Sequence, residues 1–186
     1  APCSSQGTSE KETWPERDIS GKSVLITGAN RGLGFVLTQK LAHRGARVIA
    51  CGRDREAIEA AAQSIMADKE HCQGSVDPRV CDCANLQSIK DLFLSLSADY
   101  PQGLHMLVNN ASIMPGLGQP VEAVEDELEL SCFATNVAGY HFITKYALPL
   151  ILKSNVEGFE KTVLFVTSSS GWLTDDIEEG NGMLAY

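Results

Sequence analysis

Lys22–Gly34 reads KSVLITGANRGLG, and the reading of this stretch decides the fold. Ser23 to Ile26 is a short apolar run of the kind that forms a buried strand, and it stops at Thr27-Gly28. Gly28, Gly32 and Gly34 follow, and then FVLTQKLAHRG, in which Phe35, Val36, Leu37 and Leu41 fit a buried helical face before Gly45 ends it. Strand, glycine turn and helix in this order give each glycine a task. Gly28 permits a tight turn, Gly32 lets backbone come close to a pyrophosphate, and Gly34 lets helix and strand pack closely. The free N–H groups and positive dipole end of the helix then face the phosphates. Thr27, Gly28, Asn30, Arg31, Gly32, Leu33 and Gly34 are the expected nucleotide contacts of this turn. A strand-to-helix turn that needs glycine for sterics alone has the same local pattern, so the rest of the sequence must decide between the two.

Downstream, strand and helix patterns alternate without internal repeats. Arg47–Cys51 is a second strand and Arg55 to Ala67 an alanine-rich helix. Arg79–Cys81 is a third, short strand, followed by a helix from Asn85 to Tyr100 and a fourth strand at His105–Asn109. A loop rich in glycine and proline runs from Ser112 to Pro120. A long helical region covers about Glu125 to Ser154, with Phe133, Val137, Tyr140, Thr144 and Ala147 as its core stripe and Pro149 as a kink or late turn. Thr162–Thr167 is a fifth strand. This order predicts an α/β fold, a Rossmann-like doubly wound parallel sheet with helices on both faces and ligand at the carboxyl ends of the strands. Residues 1–20 are polar and read as an arm or linker; residues 21–186 form the expected nucleotide-binding domain.

Composition narrows the partners. The protein of 186 residues is 44% hydrophobic, enough for one domain with a sizeable core, and its formal charge is −9. That charge argues against nucleic acid or an anionic membrane as the main partner. The apolar run Tyr146 to Leu152 is far too short to span a bilayer, and residues 1–20 lack the apolar core of a signal peptide, so the expected location is cytoplasmic. Six cysteines are spread over a domain with its own core, which favours reduced thiols. His71, Cys72, Cys81 and Cys83 invite a zinc reading. Cys81 and Cys83 alternate across a predicted strand end, however, and no second Cys or His pair completes a site, so no metal is expected.

Each predicted strand ends in residues with possible chemistry. After the second comes Cys51-Gly52-Arg53-Asp54. An NAD site commonly places a carboxylate here for the ribose 2′-OH, whereas an arginine suits a 2′-phosphate. Gly52 holds the acidic position and Arg53 follows it; Arg31 can supply a second positive charge. The plainer readings make Arg53 a solvated surface charge and Asp54 the N-cap of the next helix. Asp82 follows the third strand, and as a residue it could equally cap the helix near Asn85. The fourth strand ends Asn109-Asn110-Ala111, and the fifth runs into Ser168-Ser169-Ser170-Gly171.

The spacing T-G-x-x-x-G-x-G at Thr27–Gly34 resembles the first turn of the short-chain dehydrogenase/reductase family. Asn109-Asn110-Ala111 is similar to that family's N-N-A signature, with Ser112 in place of its usual glycine. Val166–Gly171 resembles its V-S-S-x-x-G, and Tyr186 falls where its Y-x-x-x-K motif begins. The acidic residues Asp175, Asp176, Glu178 and Glu179 resemble the retinol dehydrogenase-like group. The resemblance runs from about Ile19 to Tyr186. It implies that Arg31 and Arg53 select NADP(H), that Asp82 accepts from the adenine amino group, and that Asn109, Asn110 and Ala111 adjoin the cofactor. It also implies Ser168 as the group that hydrogen-bonds the substrate oxygen, with Ser169 the choice if the match slides by one. Tyr186 would be the proton donor or acceptor. Asn136, in T-N-V-A-G, would hold a relay water; its plainer reading is a solvent-facing helix residue.

The function so implied is an NADP(H)-dependent oxidoreductase moving hydride between nicotinamide and a carbonyl or alcohol. The alternative is a cofactor-binding module without catalysis. A homo-oligomer is compatible with either. The family's lysine four residues after its tyrosine lies past Tyr186, so the expectation is of a sequence that is incomplete for catalysis at its carboxyl end.

Overall fold

The computed structural model describes residues 18–116, 118–155 and 159–167. Strands β1 (Ser23–Thr27), β2 (Arg47–Gly52), β3 (Ser75–Val80), β4 (Met106–Asn109) and β5 (Thr162–Phe165) form one sheet in the order β3-β2-β1-β4-β5, and every pairing is parallel. Helices α1 (Gly32–His43), α2 (Arg55–Ala67), α3 (Leu86–Asp99), α4 (Asp126–Phe133) and α5 (Tyr140–Lys153) connect them, with a 3₁₀ turn at Val121–Ala123. Strand order reverses between β1 and β4, the topological switch point where ligands bind in sheets of this type.

Strand alternation sorts the core into two layers. Leu25, Ile49 and Leu107 face one way, against Ile89, Leu92, Phe93 and Leu96 of α3 and Ile143, Ala147, Leu150 and Ile151 of α5. Val24, Ile26, Val48 and Val108 face the other way, with Ala42 of α1 and Ile58 and Ile65 of α2. The doubly wound α/β sheet expected from sequence is therefore present. Ile19, assigned to the polar arm on sequence, is only 6% exposed and belongs to the second layer.

Three local expectations need correction. The third strand is not Arg79–Cys81 but Ser75–Val80, and it contains Pro78. Pro78 is tolerated because β3 is an edge strand bonded only to β2. On α1, the face against the sheet is Gly34, Thr38 and Ala42, with Val36 exposed. Small residues at i, i+4 and i+8 let this helix lie close to the strands, and the larger Phe35, Leu37 and Leu41 sit half-buried at its flanks. In the long helical region, Phe133 and Val137 are 66% and 59% exposed. A π-helical segment, Ala134–Gly139, joins α4 to α5, and its wider turn shifts the phase of the stripe. Only from Ile143 onward does the helix bury its apolar face.

At the opposite end of the sheet, the Ser23 N–H donates to Nδ1 of His105 at 2.9 Å. His105 is buried edge-on to Phe159, and its burial, with the charges of Lys22, Arg47 and Lys161, holds the imidazole below its ordinary value. A depressed histidine stabilises the fold while neutral, so its contribution is complete above about pH 6.5 and fades as pH falls below that. His105→Asn keeps an acceptor at the δ position that does not titrate. The melting temperature of wild type should therefore drop more steeply than that of His105→Asn between about pH 7 and pH 5. Parallel curves would contradict this role.

Candidate functional site

The turn after β1 is fixed by side chains from β4. Thr27 Oγ1 accepts from the N–H groups of Asn110 and Ala111, both at 3.0 Å. Asn110 Nδ2 donates back to the carbonyls of Thr27 at 2.9 Å and Gly28 at 3.1 Å. The Ala29 N–H donates to the Cys51 carbonyl, tying the turn to β2 as well. Gly28 has φ of 66°, and a Cβ there would lie 2.8 Å from Ala111 Cα, so neither conformation nor space admits a side chain. The clamped turn presents the start of α1. Arg31 holds the N-cap position but makes no capping bond through its guanidinium, and the first turn holds no acidic residue. The N-terminal amides and positive dipole end of α1 are thus left for an anion from outside the helix.

These amides open into a cleft of about 400 Å³ at the carboxyl ends of β1, β2 and β4, within the range of small-molecule sites. Gly28, Asn30, Arg31, Gly32, Leu33, Gly34, Arg53, Asp82, Asn110 and Ala111 all line it. A Cβ on Gly32 would meet nothing within 4 Å, so the space over this amide is open. Neither Arg31 nor Arg53 pairs with a carboxylate among the described residues. Asp54 does cap α2, accepting from the Ala57 N–H at 3.0 Å.

The two readings of Asp82 separate here. Asn85 is the cap of α3, its Oδ1 accepting from Gln87 and Ser88 N–H at 2.9 and 3.1 Å. The Asp82 carboxylate accepts from the Ala84 N–H, at 3.0 Å, and stands in the cleft wall.

Other residues move off the cleft. Thr27 and Asn109, grouped with the cofactor contacts on sequence, are 1% and 0% exposed and line no part of it. Thr27 acts from behind as the clamp just described. Asn109 donates from Nδ2 to Thr144 Oγ1 at 3.0 Å, joining β4 to α5. Asn136 is partly buried, and its side-chain amide is engaged within the protein. Its Oδ1 accepts from the Ile113 N–H at 2.9 Å, and its Nδ2 donates to the Ile113 carbonyl at 2.8 Å and Cys132 Sγ at 3.2 Å. It is a positioning residue for the loop after β4, whose Ser112 and Ile113 line the cleft. Those two residues and Thr135, also in the lining, carry no local signal in the sequence that would have found them. Ser168, Ser169 and Tyr186 lie outside the described residues.

Cys51, Cys81 and Cys83 are buried in one core cluster, and Cys81 and Cys83 also line the cleft. Burial pushes the Cys51 thiol up, as expected of an inert core residue. Cys51, Cys72, Cys81, Cys83 and Cys132 are unpaired, and no group of three metal ligands occurs among the described residues. No helix among those residues is long and apolar enough to cross a membrane.

A doubly wound sheet with a glycine turn, an open helix N-terminus and a cleft at the switch point defines a nucleotide-binding domain of the Rossmann type. The protein belongs to the short chain dehydrogenase family, whose model matches residues 22–175. It is 35% identical over 130 residues to retinol dehydrogenase 13 of Homo sapiens, covering 70% of this sequence and 37% of that protein. It is 38% identical over 139 residues to 3-amino-tetrahydro-pyrrolizinone reductase of Xenorhabdus hominickii, covering 73% and 43%. The matched region thus spans about two fifths of the length of these relatives. Among solved structures, the RhlG/NADP active-site complex of Pseudomonas aeruginosa superposes with a TM-score of 0.74 at 27% identity, over 83% of this protein and 57% of that one. A metagenomic short-chain oxidoreductase in complex with NADP shares the fold, with a TM-score of 0.72 at 23% identity over 86% and 68%.

Proposed function

We propose that the protein is an NADP(H)-dependent oxidoreductase acting on a small carbonyl or alcohol. The observation that carries this reading is the charge pattern of the cleft: an uncapped α1 N-terminus flanked by Arg31 and Arg53, neither paired with a carboxylate among the described residues. The α1 amides suit the pyrophosphate, and Gly32 leaves room for its approach. Arg31 and Arg53 suit a ribose 2′-phosphate through charge-assisted hydrogen bonds. Asp82, relieved of capping duty by Asn85, suits the adenine amino group. The bound nicotinamide would supply or accept the hydride.

The remaining steps belong to the protein's own side chains. Ser168 hydrogen-bonds the substrate oxygen, and Tyr186 gives or takes its proton. A tyrosine near pKa 10 is a poor acid–base at neutral pH, so a nearby cation is required to favour its phenolate. By the family resemblance that cation is a lysine four residues beyond Tyr186. Asn136 holds Ile113 and so shapes the wall of the site.

The test is cofactor discrimination. Arg53→Ala should weaken NADPH by about 1–3 kcal/mol, roughly 5- to 150-fold, and leave NADH nearly unchanged in a fluorescence titration. An equal loss for both cofactors sinks the assignment of Arg53.

A further inference from the structure

Two thiols stand in the wall of the cleft, one on either side of Asp82 in the sequence. Cys81 and Cys83 both line it although they are only 2% and 8% exposed, so the cleft is the opening through which a reagent meets them. Cys51 belongs to the same cluster but is fully buried and lines no part of the cleft. Cys81 is the first residue past β3, its N–H donating to the Gly52 carbonyl at 2.9 Å. A turn follows at once: the Asn85 N–H donates to the Asp82 carbonyl at 3.0 Å, and the Ala84 N–H to the Asp82 carboxylate. Consecutive Cα atoms are about 3.8 Å apart, so even a straight backbone keeps those of Cys81 and Cys83 within about 7.6 Å, and a bend brings them into the roughly 4.4–6.8 Å span of a disulfide. The two thiols are also unlike. The Cys83 thiol and the Ser88 hydroxyl hold Cys81 below its ordinary value, whereas the Cys81 thiol and burial push Cys83 up. One member supplies a nucleophilic thiolate, and the other keeps its proton until the first has reacted.

We propose that Cys81 and Cys83 are an oxidation site for hydroperoxides, closing to a disulfide around Asp82 when the cleft is empty and shielded when nucleotide fills it. The shielding rests on the cofactor reading above; the oxidation does not. The Cys81 thiolate attacks the peroxide: an S–O bond forms, the O–O bond breaks, and the departing hydroxide takes a proton to leave as water. The Cys83 thiol then attacks the Cys81 sulfur. The S–S bond forms, the S–O bond breaks, and a second water leaves with the Cys83 proton. The two sulfurs lose two electrons in all, and the peroxide gains them. The new ring includes the backbone of Asp82, so its carboxylate and the turn it caps shift from the wall assigned to the adenine.

The test treats the protein with hydrogen peroxide, with and without NADPH, then blocks the remaining thiols with N-ethylmaleimide in denaturant and maps tryptic peptides by mass. Val80–Lys90 carries Cys81 and Cys83 and no other cysteine. It should appear two hydrogens lighter and unlabelled after peroxide, and doubly labelled when dithiothreitol precedes the block. NADPH at ~10 Kd leaves about one-eleventh of the protein open and should slow ring closure about tenfold. The oxidised protein should bind NADPH about tenfold more weakly until it is reduced, the scale of one hydrogen bond to a charged group. In Cys83→Ser the reaction should stop at a Cys81 sulfenic acid that dimedone captures, and Cys81→Ser should give no adduct at Cys83. Full double labelling of the peptide after peroxide overturns the site, as does a disulfide joining either thiol to a different peptide. A protein that binds NADPH by fluorescence yet oxidises at an unchanged rate overturns the shielding. A protein that binds no NADPH defeats the cofactor reading separately, because the peptide map still decides the oxidation.

Discussion

Gly34→Ala is expected to destabilise the protein and to abolish nucleotide binding together. In most helices this exchange is favourable by roughly 0.5–1 kcal/mol, because alanine restricts the unfolded state. Here the added methyl would run into the Gly28 carbonyl oxygen and come within 2.5 Å of Asn110 Nδ2. Neither neighbour can retreat. Gly28 belongs to the turn that Thr27 and Asn110 lock to β4, and Asn110 Nδ2 is itself bonded to the Thr27 and Gly28 carbonyls. Relief requires α1 to lift from the sheet, moving the amides that face the cleft. Overpacking of this kind costs about 1–3 kcal/mol, more where backbone is the obstacle. A denaturant midpoint lowered accordingly, with NADPH binding lost, is the expected result. An unchanged midpoint would show that the turn is looser than its hydrogen bonds imply.

The second large effect concerns the serines after β5. If Ser168 is the group that hydrogen-bonds the substrate oxygen, Ser168→Ala should lower turnover by ~10²–10³, the usual cost of deleting such a donor. Ser169→Ala should be milder. The comparison is made at saturating NADPH, so that a binding defect does not pass for a chemical one. The reverse order would move the role by one residue. Full activity in both variants would remove the serine from the mechanism.

What was legible in the sequence was local. The Asp54 cap sits one residue before α2, and both partners of its bond lie within four consecutive residues. The glycine turn was legible because strand, turn and helix are contiguous. What was not legible depended on register between distant segments. Asn109 and Asn110 are adjacent and chemically identical, yet one is buried against Thr144 and the other holds the Gly28 turn. The pairing of Ile26 with Val108 decides which is which, and nothing within either strand announces it. Asn136 grips Ile113 across 23 residues, in a π-helical segment that a 3.6-residue periodicity does not anticipate. The same segment turned Phe133 and Val137 outward from the stripe assigned to them. Pro78 lies inside β3, and only the sheet order reveals β3 as an edge, where proline is tolerated.

The cofactor assignment stands or falls on one comparison: equilibrium titration of the wild-type protein with NADPH and with NADH under identical low-salt conditions. On the proposed reading, the guanidinium groups of Arg31 and Arg53 in the cleft, neither paired with a carboxylate among the described residues, should make NADPH bind more tightly by about tenfold or more, with the margin shrinking as salt is added. Equal affinities, tighter NADH, or no binding of either nucleotide would contradict it.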